Sequence, residues 1–260
     1  MKRLLVCFAL VLALVFVSSC SNKKTNDVEN FDTTSNDTIV KETENEPITT
    51  VPEVPTLYIQ GLEVDDVIRY FNEVCLDAEF SHGGDATKIQ KWSSPIYYYV
   101  FGNRTAEDNE KLTSFTEWLN EIEGFPGIYE TEDNVNANLR IFFGTDTDMI
   151  VRLGEEYRGC DAGVKYWYRD DVIYDAIICY RTDLDQTVRN SVILEEIYNG
   201  LGPVQDTTLR TDSIIYSGYS APQALTEIDE LILKLLYHPD IKCGMNAAEC
   251  EAIIRELYHE

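Results

Sequence analysis

Leu194-Glu195-Glu196-Ile197-Tyr198-Asn199-Gly200-Leu201-Gly202-Pro203-Val204-Gln205-Asp206 is the stretch on which the fold turns. It reads as the end of an amphipathic helix over 188–201 that stops at a glycine. Ile193, Ile197 and Leu201 recur at helical spacing and form an apolar stripe. Glu195 and Asn199, four apart, share the neighbouring face with Val188 and Val192, so that face points at least partly inward. Glu196 lies about 100° round from Glu195. Two adjacent carboxylates turned toward one cleft repel each other, which raises the pKa of one of them.

Upstream of that helix the chain alternates helices and strands. Residues 64–75 carry Val67, Phe71, Val74 and Cys75 at helical spacing, with Asp65 and Asp66 in the first turn. Residues 89–92 and then 96–101 read as a strand that ends at Gly102-Asn103. Thr105 is an N-cap, with Asp108 three residues on as a capping-box variant, and this helix runs to about residue 123. Residues 138–144 are a second strand and 147–156 a short helix. A hairpin follows, 163–168 and 172–180, turning at Arg169-Asp170-Asp171. Downstream, helices are expected over 222–237 and 246–258, with Pro239 preventing continuation of the first. The expected fold class is α/β (α+β), helices packed on a small mixed sheet, without an internal repeat.

The chain has 260 residues and a formal net charge of −25. Such an acidic surface repels phosphate backbones, so nucleic acid is excluded as a partner. Residues 1–19 read as a signal peptide: Lys2 and Arg3, then an apolar run over 4–17 that is too short for a permanent membrane span. Val17-Ser18-Ser19-Cys20 resembles a bacterial lipobox, which makes Cys20 the lipidated N-terminus of the mature chain. Residues 20–56, rich in Asn, Thr, Asp, Glu and Pro, cannot bury enough apolar surface to order themselves and read as a tether. The folded domain is expected over 57–260. The partner implied is a membrane, reached through lipid on Cys20, and the location is the extracytoplasmic side of the cell membrane or outer membrane.

Of seven cysteines, Cys75, Cys160, Cys179, Cys243 and Cys250 fall in the domain. Export makes disulfides available. Cys160 with Cys179 across the hairpin, and Cys243 with Cys250 in a C-terminal loop, are the candidate pairs; free buried thiols are the alternative.

Several pieces in fixed order carry a family resemblance: Lys91-Trp92, Ile141-Phe142-Phe143-Gly144, the 195–206 segment, Ser213-Ile214-Ile215-Tyr216, Leu225-Thr226-Glu227-Ile228-Asp229, Leu235-Leu236-Tyr237-His238-Pro239 and Cys243-Gly244-Met245. Together they resemble an uncharacterised bacterial lipoprotein family, domain of unknown function 2927, with a degenerate metzincin-like, zinc metalloprotease-like core. The 195–206 segment lines up with the zinc helix H-E-x-x-H-x-x-G-x-x-H. Glu196 stands at the general base and Gly202 at the turn, while Glu195, Asn199 and Gln205 stand where the histidines belong. Ser213-Ile214-Ile215-Tyr216 resembles the turn that floors such a metal, with Ile215 in the place of methionine.

The resemblance implies a remnant cleft lined by Glu195, Asn199, Gln205, Asp206, Ile215 and Tyr216, without a zinc site, because amide oxygens are poor zinc ligands. The expected function is a lipid-anchored envelope protein whose degenerate protease-like domain binds a peptide or an envelope protein without catalysis and without a cofactor. The alternatives are an atypical hydrolase with Glu196 as general base, and an oxygen trio of Glu195, Asn199 and Asp206 that holds calcium or magnesium. A further possibility is that Glu195 and Glu196 are solvated, or pair with Arg181, Arg189 or Arg210, in a defunct site.

Other features are weaker. The three histidines, His82, His238 and His259, are scattered, and His238 suits a helix C-terminus. Asp146 and Asp148 lack the rest of a calcium loop. Tyr97 to Tyr99 and Tyr166 to Tyr168 are strand residues whose aromatic faces suit glycan or peptide, though β-propensity alone accounts for them.

Overall fold

In the computed structural model, residues 57–76, 88–203, 205–218 and 220–259 are described. The expected signal peptide, Cys20, the tether and His82 lie outside them. The elements run α1 (Val64–Leu76), β1 (Lys91–Trp92), β2 (Ile96–Gly102), α2 (Ala106–Leu119), β3 (Ile128–Glu130), β4 (Leu139–Gly144), α3 (Asp146–Leu153), β5 (Ala162–Arg169), β6 (Val172–Arg181), α4 (Gln186–Gly200), α5 (Glu227–Tyr237) and α6 (Ala247–Leu257).

Six strands make one mixed sheet. Strands β3, β2, β4 and β6 lie side by side and parallel, and β5 closes the row antiparallel to β6. Strand β1 pairs parallel with the start of β6. The hairpin turns where expected, with Asp170 and Asp171 at φ 52° and 62°, the left-handed pair a tight β-turn needs. A bulge follows, since Trp167 pairs with Asp175 while Tyr168 pairs with Ile173. Ile96, Tyr98, Leu139, Ile141, Phe143, Ala176 and Ile178 face the main core. The opposite face carries Tyr97, Tyr99, Phe101, Arg140, Phe142 and Asp175, and α3 covers one end of it, where Met149 and Leu153 pack with Cys179.

Four helices start by the same local device. Thr105, Thr145, Thr226 and Asn246 each accept from the backbone three residues on, and Asp108, Asp148, Asp229 and Glu249 return the bond. The cap at Thr226 starts α5 at Glu227, later than apolar spacing alone suggests. Asp146 and Asp148 belong to the first turn of α3. Strand β3 was not expected; it is three residues long and held by backbone pairing to β2.

The segment 188–201 is helical, as expected, and its apolar stripe is not its only buried face. Helix α4 starts two residues earlier and is buried on most of its circumference, from Arg189 to Gly200. It lies against β5, β6 and α2. Tyr198 donates to Asp229 O of α5 at 3.0 Å, and Trp92 donates to Gly200 O at 2.9 Å.

Two further ties fix the periphery. The buried Lys91 Nζ donates to Leu236 O and Ile241 O, both at 2.6 Å, and so caps the end of α5. Burial lowers its pKa to about 8. Near the two ends of the described chain, the Tyr258 hydroxyl donates to Ile59 O at 3.0 Å and Leu62 O at 2.7 Å, and its ring sits 5.2 Å from that of Tyr58. Neither candidate disulfide is formed: Cys160, Cys179, Cys243 and Cys250 are free thiols, as is Cys75. Cys179 is taken up by packing under α3 and Cys250 by the main core, where each behaves as a small apolar side chain.

Candidate functional site

The central position of α4 decides the chemistry of its carboxylates. Glu196 is 9 % exposed, and Glu195 and Asn199 are half-buried. Among the described residues no hydrogen bond or ion pair reaches Glu195 or Glu196. Burial first, and then the charges of Asp206 and Asp161, push Glu195 up to about 8. Burial, then Glu195 and Asp206, hold Glu196 well above the usual carboxylate range. The sequence led to one raised carboxyl by repulsion; both are raised, and desolvation is the larger cause. The oxygen Oδ1 of Asn199, one turn from Glu195, is buried without a partner.

The three arginines proposed as countercharges are engaged elsewhere. Arg181 binds Asp183 at 2.8 Å, Arg210 binds Asp212 at 2.9 Å, and Arg189 pairs with the fully buried Asp108. Gln186 Nε2 also donates to Asp108 Oδ1 at 2.7 Å. Each arginine takes a carboxylate that is nearer or less costly to reach than the pair on α4.

The remaining cleft candidates divide. Gly202 has φ 134°, and a Cβ there would stand 2.5 Å from Gln90 O, so the turn after α4 admits only glycine comfortably. Past it, Gln205 N donates to Val74 O at 3.3 Å, and Asp206 is exposed. Ile215 is fully buried in the core, and Tyr216 is half-buried and bridged to Thr207. Ser213-Ile214-Ile215-Tyr216 is held by a polar cluster that the sequence did not disclose. Asp229, wholly buried, accepts from Ser213 Oγ at 2.6 Å, Tyr70 at 3.2 Å, Ile214 N at 3.1 Å, Thr226 N at 3.0 Å and Thr226 Oγ1 at 2.8 Å. Only its capping role was readable, from the Thr226–Asp229 spacing.

Asp161 is the site residue that sequence reasoning missed. It stands just ahead of β5 and accepts from Arg181 N at 3.1 Å. That bond sets the antiparallel alternation, so Ala162, Val164 and Tyr166 turn their main-chain groups to the outer edge of β5. No described strand pairs with that edge. Gly200 of α4 faces Val164, since a Cβ there would meet its Cγ2 at 3.4 Å.

The residues do not fit zinc: one carboxylate and two amides replace the imidazoles. Among the described residues no three His, Cys, Asp or Glu side chains gather as metal ligands. Glu195, Glu196 and Asp206 feel each other's charge without surrounding a common point. His238 is the C-cap of α5, with Nδ1 3.6 Å from Asp240 Oδ2. No helix among the described residues is long and apolar enough to cross a membrane.

A mainly parallel mixed sheet packed against several helices defines an α/β domain in which, among the described residues, no metal-ligand cluster is gathered. The chain belongs to the protein family of unknown function DUF2927, whose profile matches residues 65–256. No curated protein matches it.

Proposed function

We propose that this is a lipid-anchored, extracytoplasmic protein whose degenerate metzincin-like domain holds an extended peptide or envelope-protein segment without cleaving it. The observation that carries the reading is the acid pair on α4, set without countercharge near the free edge of β5. Burial raises both carboxyls, Glu195 to about 8 and Glu196 in the same direction, so neither presents an ordinary solvated carboxylate to a ligand. The outer edge of β5 pairs with no described strand, although Val164 O already accepts from the Tyr157 hydroxyl at 2.9 Å, and an extended segment adds there as a further strand. The helix, the turn at Gly202 and the Ser213–Tyr216 segment support the metzincin-like reading. Anchoring rests on the lipobox at Cys20.

Binding of a fluorescent decapeptide library to the purified protein tests the groove. Val164→Pro removes an outward N–H without touching the β6 ladder, and it abolishes binding if the edge is used. Glu196→Gln leaves binding intact. A second reading is favoured by the coupled carboxyls themselves, a pattern typical of reactive sites. It predicts peptide cleavage that Glu196→Gln abolishes, and stoichiometric calcium or magnesium lost on Glu195→Ala; either result overturns the non-catalytic reading. Metabolic labelling with a palmitate analogue, lost on Cys20→Ala, tests the anchor.

A further inference from the structure

The sheet face turned away from α4 carries a second arrangement that the peptide groove does not use. The register places Tyr129 of β3 beside Tyr97 of β2, with ring centroids 6.2 Å apart. At the same level on the far side, Asp175 of β6 stands beside Trp167 of β5. Between these two ends Arg140 of β4 grips Asp175 through Nη2, at 2.5 and 2.6 Å. Tyr99 neighbours Arg140 on β2. Tyr129, Tyr97 and Trp167 are 49 %, 47 % and 41 % exposed, so a large part of each side chain reaches solvent. Four strand spacings separate β3 from β5, about 19 Å across the strands.

We propose that this face binds an extended, neutral, β-linked glycan strand laid across the sheet, its pyranose rings stacked on Tyr97, Tyr129 and Trp167 and its hydroxyls bonded to the Arg140–Asp175 pair. Three features select that ligand. The rings stand at two ends of a row of strands with a polar pair between them, whereas a protein hot spot gathers its aromatic anchors at one dry centre. Every ring has a polar tip, and an aromatic face with a polar handle suits a ligand that is apolar on its C–H faces and polar at its rim. The charges here are already paired: Arg140 with Asp175, Arg104 with Glu130 at 2.7 Å, and Lys165 with Glu156 at 2.8 Å. The exception is Arg169, two residues past Trp167 on the same strand, which has no acid partner among the described residues and covers the Tyr174 ring at 5.7 Å; the net charge of −25 is what repels a polyanionic glycan.

The test is titration of the full chain with cellohexaose, chitohexaose and β-mannohexaose, followed by tryptophan fluorescence and calorimetry. At least one is expected to bind saturably and shift the emission of Trp167. Trp167→Ala and Tyr97→Ala each weaken that binding by about tenfold or more, the loss of one stacked ring. Tyr168→Ala, equally exposed but alternating to the opposite face beside Tyr166, leaves it unchanged. Far-UV circular dichroism checks each variant's fold, and Tyr129→Ala on the edge strand replaces any that fails. The proposal is overturned if none of the three sugars titrates, or if binding survives the Trp167→Ala, Tyr97→Ala double variant. A concentration-dependent dimer that Trp167→Ala dissolves, with no sugar bound, assigns the face to a second copy and overturns it as well.

Discussion

Two buried acid centres lie on neighbouring helices and are built in opposite ways. Asp229 of α5 is completely enclosed and accepts from five donors supplied by α1, the Ser213–Tyr216 turn and its own cap. Glu196 of α4 is enclosed almost as far and Glu195 is half-buried, and among the described residues no hydrogen bond reaches either carboxyl. A buried carboxylate keeps its charge only where donors replace the water it has lost. Asp229 is therefore a structural anchor, joining α5 to the turn below α4. Beside the α4 pair, the buried Asn199 Oδ1 is left without a partner, and a ligand, a proton or a partner completes such a group.

Removing the anchor has the largest expected effect. Asp229→Ala strands five donors in the core and lowers unfolding free energy by about 4 kcal/mol or more in urea titrations. A loss below about 1 kcal/mol would erase the contrast between the two centres. Gly202→Ala comes next: its Cβ meets Gln90 O in a backbone conformation that L residues avoid, at a cost of about 3 kcal/mol by the same measurement.

Glu195 gives a smaller effect with a distinctive pH signature. Its pKa in the folded chain, about 8, lies above the ordinary 4.5, so between those values the folded state holds a proton that the unfolded state has released. The stability this contributes is complete below about pH 4.5 and is lost as pH rises through about 8. Glu195→Gln removes that loss, and above pH 8 the variant is the more stable by on the order of 2 kcal/mol. Denaturant titrations at pH 5 and pH 9 show the crossing, and parallel curves would mean the carboxyl is solvated. The smallest effect is that of Glu196→Gln at pH 7, within about 1 kcal/mol of the native chain, because burial disfavours the charged form of this acid and an amide of the same shape carries no charge.

The legible part of the fold was the local part. Thr105–Asp108 and Thr226–Asp229 announce helix starts because a cap and its acid lie three residues apart, whatever surrounds them. The aromatic and β-branched runs at 96–101 and 138–144 announce strands for the same reason. Strand β3 has only three residues, and its pairing with β2 supplies what its sequence lacks. Helix α4 was legible as a helix but not as a buried one. Its polar positions at Arg189, Asn190, Glu195 and Glu196 suggest a solvated side, and only the elements packed around it enclose them. Sequence proximity likewise nominated Arg181 and Arg210 as partners for the acid pair. Each instead takes an aspartate two residues away, where little chain must be ordered to make the bond.

The Tyr258 hydroxyl, bound to Ile59 and Leu62, determines how the domain meets mechanical load. Any pull on the chain ahead of residue 57 enters at that clasp, which joins the first described residues to the last helix rather than to a strand. Tension is thus shared with α6 before it reaches the sheet, and the edge of β5 and the aromatic platform keep their register while the protein is tugged.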